Sequence, residues 1–402
     1  MPHVRSVSVG VWLARGSRHE PIELSGIAHF VEHMLFKGTS TRSAEDIAQT
    51  IDSIGGQMDA FTSKEYAGYY LKVLGEHLPL AVDVLSDIIT RPAFAAEDIE
   101  REKKVILEEI KMVEDTPDDL VHEIFTEHLW QGHPLGRPIL GTPDTVSALD
   151  AATIRRYFDG TYTAPNLIVA AVGNIEHERV LELVSKAFAG VSSSGAALTD
   201  QPPTVVPTIV VRNKELEQSH VCLGTGAYPQ DHENRYVSYV VNTVLGGSMS
   251  SRLFQNVREK RGLAYAVFSG LTAYRDTGAV TIYAGCANEA VGELIDVVMA
   301  ELRRFKDESL SPAELQRAKD HLKGNLMLGL ESTSSRMSNL ARQEMYFDRP
   351  YDLDDTLRGV EAVSHEAIAR VTGELFDGTD LSATVLGAVN GLEIPRERLA
   401  LS

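Results

Sequence analysis

The apolar positions of this chain switch repeatedly between a period of two and a period of about 3.6 residues, which predicts strands alternating with amphipathic helices. From Arg5 to Leu13, Val7, Val9, Val11 and Leu13 fall on one side and Ser6, Ser8 and Gly10 on the other, the pattern of a half-buried strand. A turn through Arg15, Gly16 and Ser17 leads to a helix that Gly38 closes. Ser43 caps a second helix, Ala44–Ile54, which Gly55 and Gly56 end. A short strand-like run, Gln57–Ser63, and an aromatic-rich run, Tyr66–Val73, precede a helix from His77 to Ile89 that Pro92 stops. Another helix covers Ala96–Val113. The acidic run that follows (Glu114, Asp115, Asp118, Asp119, Glu123) is broken by Pro117 and reads as solvated loop, the alternative being a subsite for a basic side chain. Helix Ala151–Phe158, the buried strand Asn166–Gly173 and helix Glu176–Phe188 complete a block.

Between Gly190 and Pro207 the composition turns to serine and proline with few large apolar residues, as in a linker. Past it the first block repeats. Phe158, Asp159, Gly160 and Thr161, ahead of a strand ending Ala171-Val172-Gly173-Asn174, recur 218 positions later as Phe376, Asp377, Gly378 and Thr379, ahead of a strand ending Ala388-Val389-Asn390-Gly391. Glu97 and Arg101 correspond to Glu314 and Arg317, and Val146-Ser147 to Val363-Ser364. The chain is therefore expected to hold two duplicated α+β domains, each an antiparallel sheet packed with helices: residues 1–190, a linker 191–207, and residues 208–402. The second copy has a strand, Thr208–Val211, before Ser219–Thr225, whereas only Met1–Val4 precede the equivalent strand of the first. A first strand is thus missing, and the expectation is a natural start upstream of Met1, because losing a strand exposes ladder groups.

Composition narrows the partners. The 57 carboxylates against 38 lysines and arginines argue against nucleic acid and anionic membranes. Cys222 and Cys286 cannot make a disulfide framework and read as buried small hydrophobes in a reducing compartment. No run approaches the ~18 apolar residues of a membrane span, so a cytoplasmic protein is expected.

The chemistry concentrates in His29-Phe30-Val31-Glu32-His33. Histidines four apart on a helix share a face and can reach one metal ion, and the carboxylate beside them can take a proton from water. Two half-buried histidines with Glu32 as an ion-pair partner is the competing reading. A catalytic zinc site needs a third protein ligand. On the helix Ala96–Val113, Glu102 and Glu109 are close to two turns apart and share a face; Glu109 is the candidate ligand and Glu102 the residue that orients an imidazole. A solvated charged face is the alternative, preferred for Glu108. His122, His128 and His133 lack ligand spacing and read as structural. At the offset of the motif the second copy reads Gly246–Ser251, and near that of Glu109 it reads Gly324-Asn325-Leu326, with no ligand in either run. Residues confined to one copy are not demanded by the fold.

Taken with that motif, the chain resembles, over essentially its whole length, the pitrilysin/insulinase family of inverzincin zinc peptidases, and most closely its short branch similar to the catalytic subunit of the mitochondrial processing peptidase. The resemblance rests on His29, Glu32 and His33, on Glu102 and Glu109, and on Arg258 and Tyr265 in the run from Ser251 to Tyr265. It implies one zinc ion per chain on His29, His33 and Glu109, with Glu32 as the base and Tyr265 and Arg258 of the second domain as oxyanion or substrate-holding groups. Without it, Arg258 reads as a helix ion pair with Glu259 or Asp231, and Tyr265 as a strand-end core aromatic. Substrate would be an extended peptide lying along Asp59, Ala60, Phe61 and Thr62. Asp59 departs from the asparagine usual in the family. Asp119 and Glu123 match acidic positions that recognise an arginine near the scissile bond. The resemblance further implies half of a closed chamber, completed by a homodimer or a related inactive subunit. A noncatalytic scaffold of the same fold predicts eroded ligands, and a structural zinc protein predicts four closed ligands, typically with cysteine.

Overall fold

Period-two stretches form strands and period-3.6 stretches form helices in the computed structural model of the protein, which describes residues 1–195, 200–347, 351–377 and 381–401. Ala196–Thr199 of the expected linker, Gly378 and Thr379 of the repeated tetrapeptide, and Ser402 lie outside the described residues. The first copy runs β1 (Ser6–Leu13), α1 (Ile27–Leu35), α2 (Ala44–Asp52), β2 (Gln57–Thr62), β3 (Ala67–Leu74), α3 (Leu78–Thr90), α4 (Ala96–Asp115), α5 (Pro117–Leu129), α6 (Pro143–Ala148), α7 (Ala151–Thr161), β4 (Leu167–Gly173) and α8 (His177–Ala187). The second runs β5 (Ile209–Asn213), β6 (Ser219–Ala227), α9 (Arg235–Leu245), β7 (Ala264–Ala273), β8 (Gly278–Cys286), α10 (Val291–Asp307), α11 (Pro312–Gly329), α12 (Thr333–Tyr346), α13 (Leu353–Glu361), α14 (His365–Leu375) and β9 (Ser382–Gly387). A π-helical turn, Phe254–Glu259, precedes β7. Strand β9 ends before the repeated Ala388-Val389 pair, which forms a turn instead, with Val389 N–H donating to Gly387 C=O.

The chain divides into two compact units. One comprises Met1–Met112, Arg137–Thr199 and Leu328–Pro350, the other Val113–Gly136, Asp200–Met327 and Tyr351–Ser402. Helix α12 of the second copy thus packs in the first unit and helix α5 of the first copy in the second unit.

In the first unit four antiparallel strands lie in the order β2-β3-β1-β4. Val7, Val9, Val11 and Leu13 face a core shared with α1, α3 and α7. The other face of β1 is buried as well, contrary to the half-buried expectation. Trp12 and Val172 pack with Met337, Ala341 and Met345 of α12, and Ser8, fully buried, shares a 2.9 Å hydrogen bond with Thr333. The small residues on that side of β1 make room for a helix over 300 positions away in sequence.

The second unit has five strands in the order β5-β9-β6-β8-β7, antiparallel except for the parallel pair β5/β9. Here α5 covers one face, packing Leu120, Val121, Ile124 and Phe125 against Cys222, Tyr283 and Leu386. The acidic run is therefore helical rather than loop: Glu114 and Asp115 end α4, and Asp118, Asp119 and Glu123 lie on α5, with only Thr116 between the two helices. Pro117 takes the first helical position and Asp118 and Asp119 the first turn, where a fixed φ and negative charge suit a helix start. Both cysteines are buried in strands, unpaired with each other. By element order β1, β3, β2 and β4 correspond to β6, β8, β7 and β9. The strand absent from the first copy corresponds to β5, and among the described residues none pairs with the outer edge of β4.

Candidate metal centre

Helix α1 buries Ile27, Ala28, Phe30, Val31, Met34 and Leu35 in the core, which turns His29 and His33 to the remaining face. Their rings stand edge to face with centroids 4.6 Å apart. Helix α4 buries Ile99, Glu102 and Ile106, and two turns of rise bring Glu109 level with both imidazoles. Glu109 Oε2 is 3.6 Å from Nε2 of His29 and 3.6 Å from Nε2 of His33. Among the described residues these three form the one group of histidine, cysteine or carboxylate ligands close enough to hold an ion. The edge of a tetrahedron with ligand bonds of about 2.0–2.2 Å is ~3.4 Å, so the donor set suits zinc nearly as it stands.

Glu102 lies behind the imidazole of His33. It is 2% exposed and accepts from His33 Nδ1 at 3.0 Å, which leaves Nε2 of that ring with its lone pair toward Glu109. Its other oxygen takes Lys37 Nζ at 2.8 Å. Burial alone would raise the Glu102 carboxyl, but the bonds from Lys37 and His33 hold it below the usual carboxylate range. Sequence reasoning missed Lys37, although it follows His33 by four residues, the spacing that would have brought both toward one acidic partner. Burial, reinforced by His33, lowers His29 to about 4, which keeps the ring neutral and able to ligate.

Glu32, between the histidines in sequence, accepts a hydrogen bond from Thr62 Oγ1. Burial raises its carboxyl above the usual range, with Glu109 and Asp59 adding to the effect and Thr62 and His33 opposing it. A carboxylate moved upward is better matched to general-base work near neutrality. The Thr62 side chain is thus engaged with Glu32. Asp59 accepts from Tyr70 Oη at 2.8 Å and from the Ala60 N–H at 2.9 Å. Phe61 packs edge to face on Tyr66. These residues form β2, which among the described residues is an edge strand paired with β3 alone.

Asp119, Glu123, Arg258 and Tyr265 belong to the second unit. Asp119 is exposed and Glu123 half-buried on α5. Arg258 lies on the π-helical turn, its guanidinium 4.8 Å from the Phe254 ring centroid and 4.7 Å from that of Tyr265, with Glu259 3.7 Å away. Tyr265, at the head of β7, is 82% exposed, which overturns the core-aromatic reading. His122 stacks on Tyr283, His128 Nδ1 hydrogen-bonds the Ile124 carbonyl and His133 Nε2 that of Gln201, in keeping with structural roles. The counterpart of α1 by element order is α9, so Gly246–Ser251 fall past that helix rather than on it. Helix α9 itself contains neither histidine nor glutamate, and the contrast between the copies stands at the corrected place.

Residues 1–143 match the family profile described as "Insulinase (Peptidase family M16)", and residues 148–322 that of the "Peptidase M16 inactive domain". A Bacillus subtilis protein named as an uncharacterized zinc protease is 43% identical over 375 residues, covering 93% of this chain and 91% of its own. A Mycobacterium bovis protein named likewise is 41% identical over 398 residues, covering 96% and 89%. Among solved structures, a protease from Helicobacter pylori matches with a TM-score of 0.88 at 23% identity over 95% of this chain and 94% of its own. A Pseudomonas fluorescens structure described as a peptidase M16 inactive domain gives 0.91 at 20% identity over 98% and 95%. At those identities the two structures bear on the fold alone.

Proposed function

The chain belongs to the insulinase family of peptidases, M16, and from that premise we propose that it is a zinc endopeptidase that hydrolyses extended or unfolded peptides in the manner of a processing peptidase. The observation that carries the reading is the convergence of three ligand atoms, His29 Nε2, His33 Nε2 and Glu109 Oε2, with Glu32 one turn away and Glu102 behind His33. His29, His33 and Glu109 would hold the metal. Zinc, when bound there, supplies Lewis-acid polarisation of water and of the peptide carbonyl.

Glu32 takes the proton from the attacking water and delivers it to the leaving nitrogen, and its upward-shifted carboxyl favours that exchange. Thr62 holds the carboxylate through its hydroxyl. Glu102 keeps His33 in the tautomer that ligates. The substrate adds as a strand at the outer edge of β2, alongside Asp59, Ala60 and Phe61, and pairs through its backbone. We assign Tyr265 and Arg258 to substrate binding, on the resemblance and on the exposed, stacked pair they form. Asp119 and Glu123 are assigned to a basic substrate side chain. The partner is a second copy or a related inactive subunit, and the setting the cytoplasm; no helix among the described residues is long and apolar enough to cross a membrane.

The test is zinc content and cleavage of unstructured peptides by the wild type and Glu32→Gln. The variant should keep one zinc per chain and lose turnover. Retained turnover refutes Glu32 as the base, and wild type that holds zinc without cleaving favours a scaffold of the same fold.

A further inference from the structure

Helix α1 starts in an unusual way. Its N-cap is Gly26, at φ +94°, which offers no side chain to the first orphan amides. A Cβ at that position would lie 2.6 Å from the Leu140 carbonyl oxygen, so the close approach of residues 140–141 excludes the serine, threonine or aspartate that would ordinarily cap the helix.

The cap comes instead from Glu20, ahead of the helix in sequence and 4% exposed. Its Oε2 accepts the Gly26 N–H at 2.8 Å and its Oε1 the Ala28 N–H at 2.8 Å. The backbone of Glu20 is itself fixed, because Arg137 Nη2 donates to its carbonyl at 2.7 Å. The carboxylate comes at a cost: burial pushes it up to about 7, against the pull of the two amides, Arg137 and Lys64. A fold that keeps so costly a group where a helix merely has to begin is holding something in place.

Ala28 is the residue before His29. Two hydrogen bonds to one rigid carboxylate fix both the axial start of α1 and its rotation about its own axis, and the rotation decides where His29 and His33 point. We propose that Glu20 is a positioning residue for the metal centre, setting the register of α1 through the amides of Gly26 and Ala28 so that His29 and His33 meet Glu109 in one ligand set. The inference rests on the peptidase reading given above. Glutamine at 20 keeps the shape but has one acceptor oxygen, and its amide group would face an N–H donor.

The experiment compares wild type, Glu20→Gln and Glu20→Asp. It reads zinc affinity by chelator competition, kcat and KM at saturating zinc, and amide hydrogen exchange in the zinc-free protein. In Glu20→Gln zinc affinity should fall about tenfold and kcat about tenfold, in the range seen when a support behind metal ligands is lost. KM should stay within about twofold on the same reasoning, because the substrate strand is untouched. Exchange should quicken at residues 26–29 and not in β1 or β3, and Glu20→Asp, which retains both oxygens, should recover part of the loss. Unchanged zinc affinity and kcat in Glu20→Gln overturn the proposal even if exchange quickens, since the carboxylate would then be structural only. Should the variant not fold, the wild type alone decides: Gly26 and Ala28 amides that exchange as fast as unbonded loop amides, without zinc, overturn it. Failure of the peptidase reading shows separately, as wild type without zinc or without cleavage.

Discussion

Glu102→Gln isolates the support behind the metal ligands. The wild-type carboxylate is buried and takes two donors, His33 Nδ1 at 3.0 Å and Lys37 Nζ at 2.8 Å. Glutamine has the same shape but one acceptor, so one donor is left facing an NH2 group. Hydrogen bonds to charged groups are worth about 1.5–3 kcal/mol each. Lys37 is partly exposed and regains much of its share from water, so the loss falls chiefly on His33. Its imidazole then no longer has an anionic acceptor to fix the Nδ1–H tautomer, and zinc affinity should fall by about 10- to 100-fold, equivalent to ~1.4–2.7 kcal/mol. Chelator competition on the purified protein measures this directly, with kcat at saturating zinc as the second reading. Glu108→Gln is the control: Glu108 is exposed and pairs with Lys111 on its own helix, so both quantities should stay at wild-type values. Zinc affinity and kcat within about twofold of wild type in Glu102→Gln would refute the reasoning, since a support of this kind is expected to matter by at least tenfold.

Tyr265→Phe should leave zinc content and thermal stability unchanged, because the ring is exposed, while lowering kcat by about 10²–10³-fold if its hydroxyl serves the oxyanion; unaltered kcat removes it from the mechanism. Asp87, fully buried, accepts from Thr39 at 2.7 Å, Arg42 at 2.8 Å and Arg91 at 2.7 Å. Burial would raise its carboxyl, but these donors outweigh it and hold the group below its ordinary value in the folded protein. The stabilisation is therefore present above the unfolded value of ~3.8 and is lost as pH falls through the lower, folded one. Asp87→Asn should cost about 3–5 kcal/mol near neutrality and flatten the acid limb of a denaturation-versus-pH series; an unchanged limb assigns acid sensitivity elsewhere.

The metal centre was legible because its signals are local. His29 and His33 lie one turn apart on one helix, and Glu102 and Glu109 two turns apart on another, so helix geometry alone sorts their faces. Glu102 was read from that spacing too, but the supports from other elements were not legible. The bond from Thr62 to Glu32 joins a strand to a helix 30 residues away, and in the sequence Thr62 carried only the substrate-strand reading that the resemblance implies. Glu20 carries no pattern at all, since the need for it arises from the approach of Leu140 to Gly26. The acidic run read as loop because charge outweighed the spacing of Leu120, Val121, Ile124 and Phe125, whose burial depends on strands β6, β8 and β9. Two copies were readable from their repeated tetrapeptide, but fixed-offset counting slid the counterpart of the motif off helix α9, because the loops between equivalent elements differ in length.

That exchange of helices bears on whether the catalytic copy can stand alone. Strand β1 looks half-buried in sequence because what covers its second face begins at Thr333. Without α12, Trp12 and Val172 lose Met337, Ala341 and Met345. The buried Arg18–Glu65 ion pair loses Tyr346, whose hydroxyl donates to Glu65 at 2.7 Å. Each large apolar side chain returned to water costs about 1.5–3 kcal/mol, and a few of them approach the ~5–15 kcal/mol that holds a domain folded. A chain ending at residue 207 should therefore be largely unfolded although it contains every ligand of the metal centre. Adding residues 328–350 as a separate peptide should restore cooperative unfolding in circular dichroism, and with it zinc binding. A fragment 1–207 that melts cooperatively and binds zinc as tightly as the full chain would show that α12 is dispensable, and that the second face of β1 is covered without need.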